Sequence, residues 1–326
     1  MNSPEAVIRW YKSPIDKDAY RKLLEKKDAP GLVYFLGGMS MLVALGVWAY
    51  LALGSLWSYV AFFLYGNILV VFASSALHET HHRTAFKSRW LNEVVHWISG
   101  FMITKEAEYD RWRHLQHHSF TLYENKDPEI YAGRPPVHPL LIAFLGVLVY
   151  PREIIIPFIH AIGIQPGYLK GKVAENTWRK IVWSSRLYVV VALGIVAWAV
   201  LIESWLPIVY TFFAAYYGGV LMIFVQSTQH AGLAINEPDH RLTTRTTYMN
   251  PFMRFIYWDM NYHIEHHMFA GVPFHSLARL HELVKSDMPE PAPSFSAAVR
   301  EAMPAWIKVL KSPDDFIRPE LPARQA

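Results

Sequence analysis

Asn261-Tyr262-His263-Ile264-Glu265-His266-His267 places three imidazoles within five positions. Two upstream stretches share its character: His78-Glu79-Thr80-His81-His82 and Arg113-His114-Leu115-Gln116-His117-His118. Residues three and four apart lie on one face of a helix. His114 can therefore point the same way as His117 and His118, and His263 the same way as His266 and His267. A single histidine of this kind is more often an ordinary surface or core residue. Three clusters at ligand spacing point instead to metal, because neutral imidazole is a nitrogen ligand shared by Fe, Zn, Cu and Ni.

The rest of the composition sets the environment of those clusters. The chain has 326 residues, of which 18% are charged and 15% aromatic, and its mean hydropathy is positive. Soluble proteins carry roughly 25% charged residues, so the balance points to a membrane. With no cysteine, disulfides, zinc-thiolate sites and iron–sulfur clusters are excluded from this chain. No cytochrome-type haem segment with His-Pro-Gly-Gly is present either, so any redox partner is expected to be a separate protein. A net charge of +4 is no sign of nucleic-acid binding here, since the basic residues sit at the ends of apolar runs and read as topology signals.

Residues 1 to about 30 are polar and basic, with Arg9, Lys12, Lys17, Arg21, Lys22, Lys26 and Lys27, and lack the apolar core of a signal peptide. They read as a juxtamembrane arm. From Gly31 to Ala76 the chain runs 46 residues without a charge, enough for two spans of about 20 residues each, with a break near Gly54-Ser55. Arg89 to about Ile103 has an apolar stripe and sets Asn92, Glu93 and His96 on another face, which suggests an interfacial helix. Tyr123 to Pro139 reads as a loop. Leu140 to Ile164 is interrupted by Pro151, Arg152, Glu153 and Pro157, so a re-entrant or surface-lying pair of helices fits it better than a span. Two further spans are expected at about Ile181 to Ile202 and Trp205 to Thr228, and Pro289, Pro291 and Pro293 lead into a terminal helix and tail. Lys and Arg flank the hairpins on one side only, which by the positive-inside rule makes both termini and all three clusters cytoplasmic. The expected fold is an all-α integral membrane protein of about four transmembrane helices in two hairpins, with a cytoplasmic histidine-rich di-metal cap. The imidazoles at these spacings, eight even without His81, exceed the three or four ligands of one tetrahedral zinc site, and nitrogen ligation by itself leaves Fe, Cu, Ni and Zn open.

From about Gly31 to Leu283 the chain resembles the membrane fatty acid desaturase superfamily, which includes hydroxylases and ketolases. His78 and His82 correspond to the first histidine box of that family, and His114, His117 and His118 to the second. His263, His266 and His267 resemble the third, continuing into Met268-Phe269-Ala270-Gly271-Val272-Pro273, where Ala270 stands in place of the usual proline. The resemblance implies two iron ions that activate dioxygen. It also implies a ninth ligand at the cytoplasmic end of the fourth span, where His230 stands. It divides the chain into a cytoplasmic arm (1–30), a desaturase-like membrane domain (31–288) and a cytoplasmic tail (289–326). His81 is the ambiguous member of the first cluster. Gln226, one turn before His230, is a candidate to hold a metal-bound water or to cap contacts between helices. Glu79, Glu265 and Asp259 are candidates to orient imidazole N–H groups, a role that ligating histidines nearly always require; Glu265 equally suits a surface ion pair.

The function implied is an O2-dependent di-iron oxidoreductase that desaturates a fatty acyl chain or other lipid-like substrate, with hydroxylation of an alkyl, lipid or terpenoid substrate as the alternative. Electrons must come from a separate ferredoxin or cytochrome-type carrier and its reductase. The location implied is a cell membrane, the inner one if the source is bacterial. A non-catalytic metal-binding membrane protein or transporter would instead distribute histidines within the spans along a pathway. A zinc hydrolase, the third reading, would hold zinc and work without oxygen.

Overall fold

The computed structural model describes residues 8–129, 138, 151–312 and 314–323, and the side chains of 151–154 are left aside. Most of the Pro-rich loop expected up to Pro139, and the first part of the apolar stretch from Leu140, lie outside the described residues. In chain order the helices are α1 (Lys17–Leu23), α2 (Asp28–Leu51), α3 (Trp57–His81), α4 (Arg89–Met102), α5 (Ala107–Phe120), α6 (Pro151–Ala161), α7 (Glu175–Leu201) and α8 (Leu206–Tyr210). They continue with α9 (Ala214–Tyr217), α10 (Gly219–His230), α11 (His240–Thr243), α12 (Pro251–Ile256), α13 (His263–Met268), α14 (Phe274–Val284) and α15 (Phe295–Lys311). Among the described residues, extended pairing is confined to isolated bridges such as Thr246 with Tyr262.

The chain divides into two compact units. The first comprises residues Asp28–Trp112 and Leu140–Ile223. Three of its helices, α2, α3 and α7, are long and apolar enough to cross a membrane. Their outer faces carry exposed Val33, Leu36, Val43, Trp183, Val190 and Leu193, the surface expected where lipid is the solvent. The α2–α3 turn falls where the sequence places it, with Gly54 at φ +83°, a conformation glycine adopts without steric cost. Helices α2 and α3 pack closely because Gly38 has no side chain: a Cβ there would run into the ring of Phe72.

The fourth apolar run, expected as one span from Trp205 to Thr228, is three consecutive helical pieces, α8, α9 and the first turns of α10. A tertiary contact accounts for the last break. Gly218 lies against the backbone of Gly66 so tightly that a Cβ would overlap the Gly66 carbonyl, and Asn67 Oδ1 accepts the N–H of Leu221 at 2.7 Å. That side-chain acceptor satisfies one of the donors left open at the start of a new helix.

Helix α4 forms where expected, but its polar face turns inward. Asn92 and His96 are each 1% exposed, while Trp90 and Val94 face outward. Asn92 Nδ2 donates to the carbonyls of Phe86 and Ser88, and His96 meets Thr80 Oγ1 and the carbonyl of Ala107. Because these groups find partners inside the protein, burying them carries little penalty. A separate cluster joins Tyr109, Ile156, Leu169, Trp178 and Ile181, with the His160 ring set edge-on to Tyr109 and to Trp178.

The second unit comprises residues Met1–Lys27, Arg113–Pro139 and Phe224–Ala326. Its short helices are locally capped: Asp16 accepts from the N–H groups of Asp18 and Ala19, Asn250 from Met253 with Pro251 at the first position, and Ser294 from Ala297. The N-terminal arm is tied down by Tyr11, whose N–H donates to the Pro238 carbonyl and whose hydroxyl donates to Asp287. Just before the third histidine cluster, Trp258 and Asp259 hold φ of 51° and 50°. That region is costly for residues with side chains, and such strain gathers at functional sites.

Candidate metal centre

In the second unit three elements converge. The C-terminal turns of α5 present His114, His117 and His118, α13 presents His263, His266 and His267, and the end of α10 presents His230. His117, His230 and His267 are all buried, and each offers a ring nitrogen within 4.8 Å of the other two. His114, His118 and His266 likewise offer nitrogens within 4.8 Å of one another. The His118 and His267 rings stack at 4.2 Å. His263 Nε2 lies 3.1 Å from His230 Nε2 and 3.2 Å from His267 Nε2.

The tautomers follow from the partners. His230 Nδ1 is 2.8 Å from the carbonyl of Thr243, which can only accept, so Nδ1 carries the proton and Nε2 a lone pair. His117 Nδ1 is 2.7 Å from Asp127 Oδ2 and donates to that carboxylate. The Thr121 hydroxyl donates to the His117 carbonyl at 2.8 Å, so it accepts from His267 Nδ1 at 3.2 Å. In all three histidines Nδ1 is anchored, which leaves Nε2 as the nitrogen available to a metal. His114 Nδ1 is similarly placed against Glu129, at 3.3 Å.

Burial keeps most of these rings uncharged. It pushes His230 and His266 down to about 3, with His117 adding to the effect, and it holds His263 and His267 well below the ordinary imidazole value, helped by neighbouring imidazoles. His117 moves the other way: burial alone would lower it, but the charge and hydrogen bond of Asp127 outweigh that. Neutral imidazoles whose far nitrogens are hydrogen-bonded are the form in which histidine binds a metal. An ion held at about 2.0–2.1 Å sets adjacent ligand nitrogens about 2.9–3.4 Å apart, and the Nε2 separations around His263 fall in that range. The donor set fits a transition-metal site.

The other expected site residues fall as follows. In the first unit His78 and His82 lie a turn apart at the end of α3, ring centroids 6.0 Å apart. His81 turns to Asp110, its Nε2 3.3 Å from Oδ2. Gln226 is half-buried, one turn before His230. Two of the three carboxylates expected to orient ligating imidazoles have other partners. Glu265, fully buried, places one oxygen 2.6 Å from His281 Nδ1 and the other on the Thr246 hydroxyl, so it is not on the surface, and Asp259 pairs with Arg254 at 2.6 Å. Asp127, Glu129, Thr121 and the Thr243 carbonyl meet imidazole Nδ1 atoms, and nothing in the sequence marks these positions, since they act across turns and between distant segments. His240, set aside for want of spacing, is buried with its ring 5.2 Å from that of His267.

Among the described residues the structure is helical, and its three membrane-length apolar helices and buried groups of imidazoles point to a membrane protein whose histidines could hold a metal ion. A family model described as fatty acid desaturase matches residues 55–298, and the chain belongs to that family. It is similar to fatty acid desaturase 3 of Homo sapiens, at 23% identity over 248 residues that cover 64% of this chain and 51% of that protein. The chain thus spans about half the length of the curated relative it matches.

Proposed function

We propose that the protein is an O2-dependent, di-iron membrane oxidoreductase that removes two hydrogens from a fatty acyl chain or other lipid-like substrate. The observation that carries the metal reading is the set of anchored Nδ1 atoms on His117, His230 and His267, three buried rings whose ligand nitrogens lie within 4.8 Å of one another. The proposed ligands are His78, His82, His114, His117, His118, His230, His263, His266 and His267, with His81, Gln226 and Glu265 in supporting positions at most. The pair of irons, when bound, would supply the oxidising power needed for an unactivated C–H bond.

The protein's own part is binding and orientation. Asp127, Glu129, Thr121 and Thr243 hold Nδ1 of His117, His114, His267 and His230, which leaves Nε2 as the nitrogen these rings would offer to a metal. Burial excludes water that would otherwise compete for the ions. The membrane domain, with four spans in two hairpins, cytoplasmic termini and a cytoplasmic site, brings a lipid chain to the centre from the bilayer. Electrons come from a separate carrier, as the chain has no cysteine for a cluster of its own.

Hydroxylation is the neighbouring reaction, differing in whether oxygen is transferred before the second hydrogen leaves. Purified protein supplied with an electron-donor system and lipid extract under 18O2, with products analysed by mass spectrometry, distinguishes the two. Loss of two hydrogens without label supports desaturation, and label in the product shows hydroxylation. Turnover without oxygen ends the oxidase reading.

A further inference from the structure

We propose that Trp10 is the point at which electrons enter this protein, delivered by a small carrier with an acidic face around an iron–sulfur centre, and that they reach the ion held by His267 through the stacked ring of His240. The proposal rests on the di-metal reading above, whose chemistry consumes electrons that the chain cannot store.

The path is short and aromatic. The Trp10 and His240 rings are stacked at 4.0 Å with 9° between their planes, and His240 lies 5.2 Å from His267, ring to ring. Trp10 is half-buried, whereas His240 and His267 are 2% and 5% exposed, so the chain of rings leads from the surface to the buried imidazoles. A second tie runs from Trp10 Nε1 to the carbonyl of Ser119, the residue after His118, at 3.2 Å. His240 lies outside both metal-ligand groups, and among the described residues its Nδ1 has no hydrogen-bond partner, while its ring stacks on Trp10. The neighbouring Tyr11 is pinned by Asp287, by the Pro238 carbonyl and by the Arg241 guanidinium 3.7 Å above its ring, so the backbone that carries Trp10 is fixed.

The surface around this entry is positive. Between residues 9 and 27 there are seven Lys and Arg against three acids, and Arg9 and Lys12, on either side of Trp10, are exposed. A basic rim steers an acidic partner and raises its association rate in a salt-dependent way. In the transfer, each reduced carrier gives up one electron and is oxidised while one ferric ion becomes ferrous. No bond is made or broken, and two carriers discharge to reduce both ions.

The test uses the full-length, iron-loaded protein in its ferric form, mixed anaerobically in a stopped-flow instrument with a reduced [2Fe–2S] ferredoxin. Return of the oxidised cluster's absorbance gives the rate, and dithionite serves as a small reductant in a parallel arm. Rates are expressed per iron, so a partly loaded variant still reads. The expected result is that Trp10→Leu slows the ferredoxin arm tenfold or more and leaves the dithionite arm within twofold of wild type, while Trp10→Phe, which keeps a ring over His240, loses less than Trp10→Leu. Lys12→Glu lowers the ferredoxin rate and flattens its salt dependence. A Trp10→Leu rate within twofold of wild type in the ferredoxin arm overturns the proposal, and so does equal slowing of both arms, which is what a purely structural tryptophan gives. If dithionite delivers no electrons to the wild-type protein, the metal reading itself falls, and the relay with it.

Discussion

The Nδ1 of His117 lies 2.7 Å from Oδ2 of Asp127, and the same oxygen accepts the backbone N–H of Leu122 at 2.8 Å. The other carboxylate oxygen accepts the N–H of Glu129 at 2.7 Å, so Asp127 ties the turn after α5 to the ring of a candidate ligand. The His117 interaction, followed by those N–H groups, holds the Asp127 carboxyl below its usual range although burial opposes this.

From this relationship Asp127→Asn should weaken metal binding by about 10–100-fold, the usual effect of losing a carboxylate that orients a ligating histidine. Iron retained by the variant during titration with a competing chelator measures it. Wild-type retention in the variant would mean that Asp127 serves only the turn.

Much of the candidate centre is legible in the sequence, because side chains that share a helix face recur at three and four residues and that spacing survives as text. His230 is legible for another reason: the apolar run ends near Val225 and turns polar at Gln226-Ser227-Thr228-Gln229. What the sequence hides is whatever depends on distant partners. Asp127 and Thr243 look like ordinary loop residues until folding brings them to His117 and His230. His240 has no histidine at ligand spacing, yet its ring lies beside His267. The break at Gly218 arises from a contact with Gly66, some 150 residues earlier in the chain, and the inward turn of Asn92 and His96 depends on backbone acceptors that periodicity cannot reveal.

Glu106 makes stability depend on pH. It caps α5 by accepting the N–H groups of Glu108 and Tyr109, and burial pushes its carboxyl up to about 8. Because the folded value lies above the unfolded one of 4.5, the folded state keeps a proton that the unfolded chain has lost, and stability falls as pH rises between these two values. Melting temperatures at pH 5 and pH 8 should therefore decline more for the wild type than for Glu106→Gln. Parallel profiles would contradict this.

The contact of Gly218 with Gly66 predicts an overpacking effect. Gly218→Ala should cost about 1–3 kcal/mol, while Gly219→Ala, where a Cβ meets nothing within 4 Å, should not show it. Thermal unfolding of the two variants in the same detergent makes the comparison, and equal melting temperatures would remove the crossing as the cause of the helix break.

The proposed topology places the α2–α3 turn on the opposite side of the membrane from the turn after α5. In this cysteine-free chain, Ser55→Cys and Lys126→Cys introduce single labelling sites at exposed positions. An impermeant maleimide applied to intact cells should label residue 55 alone, and in inverted vesicles residue 126 alone. Labelling of both from one side would refute the two-hairpin arrangement.

The most direct test of the central claim is the transition-metal content of the purified protein, measured side by side for the wild type and His267→Ala. The account predicts close to two irons per wild-type chain and one or fewer in His267→Ala, with the variant still unfolding cooperatively. Full iron content in the His267→Ala protein would contradict it.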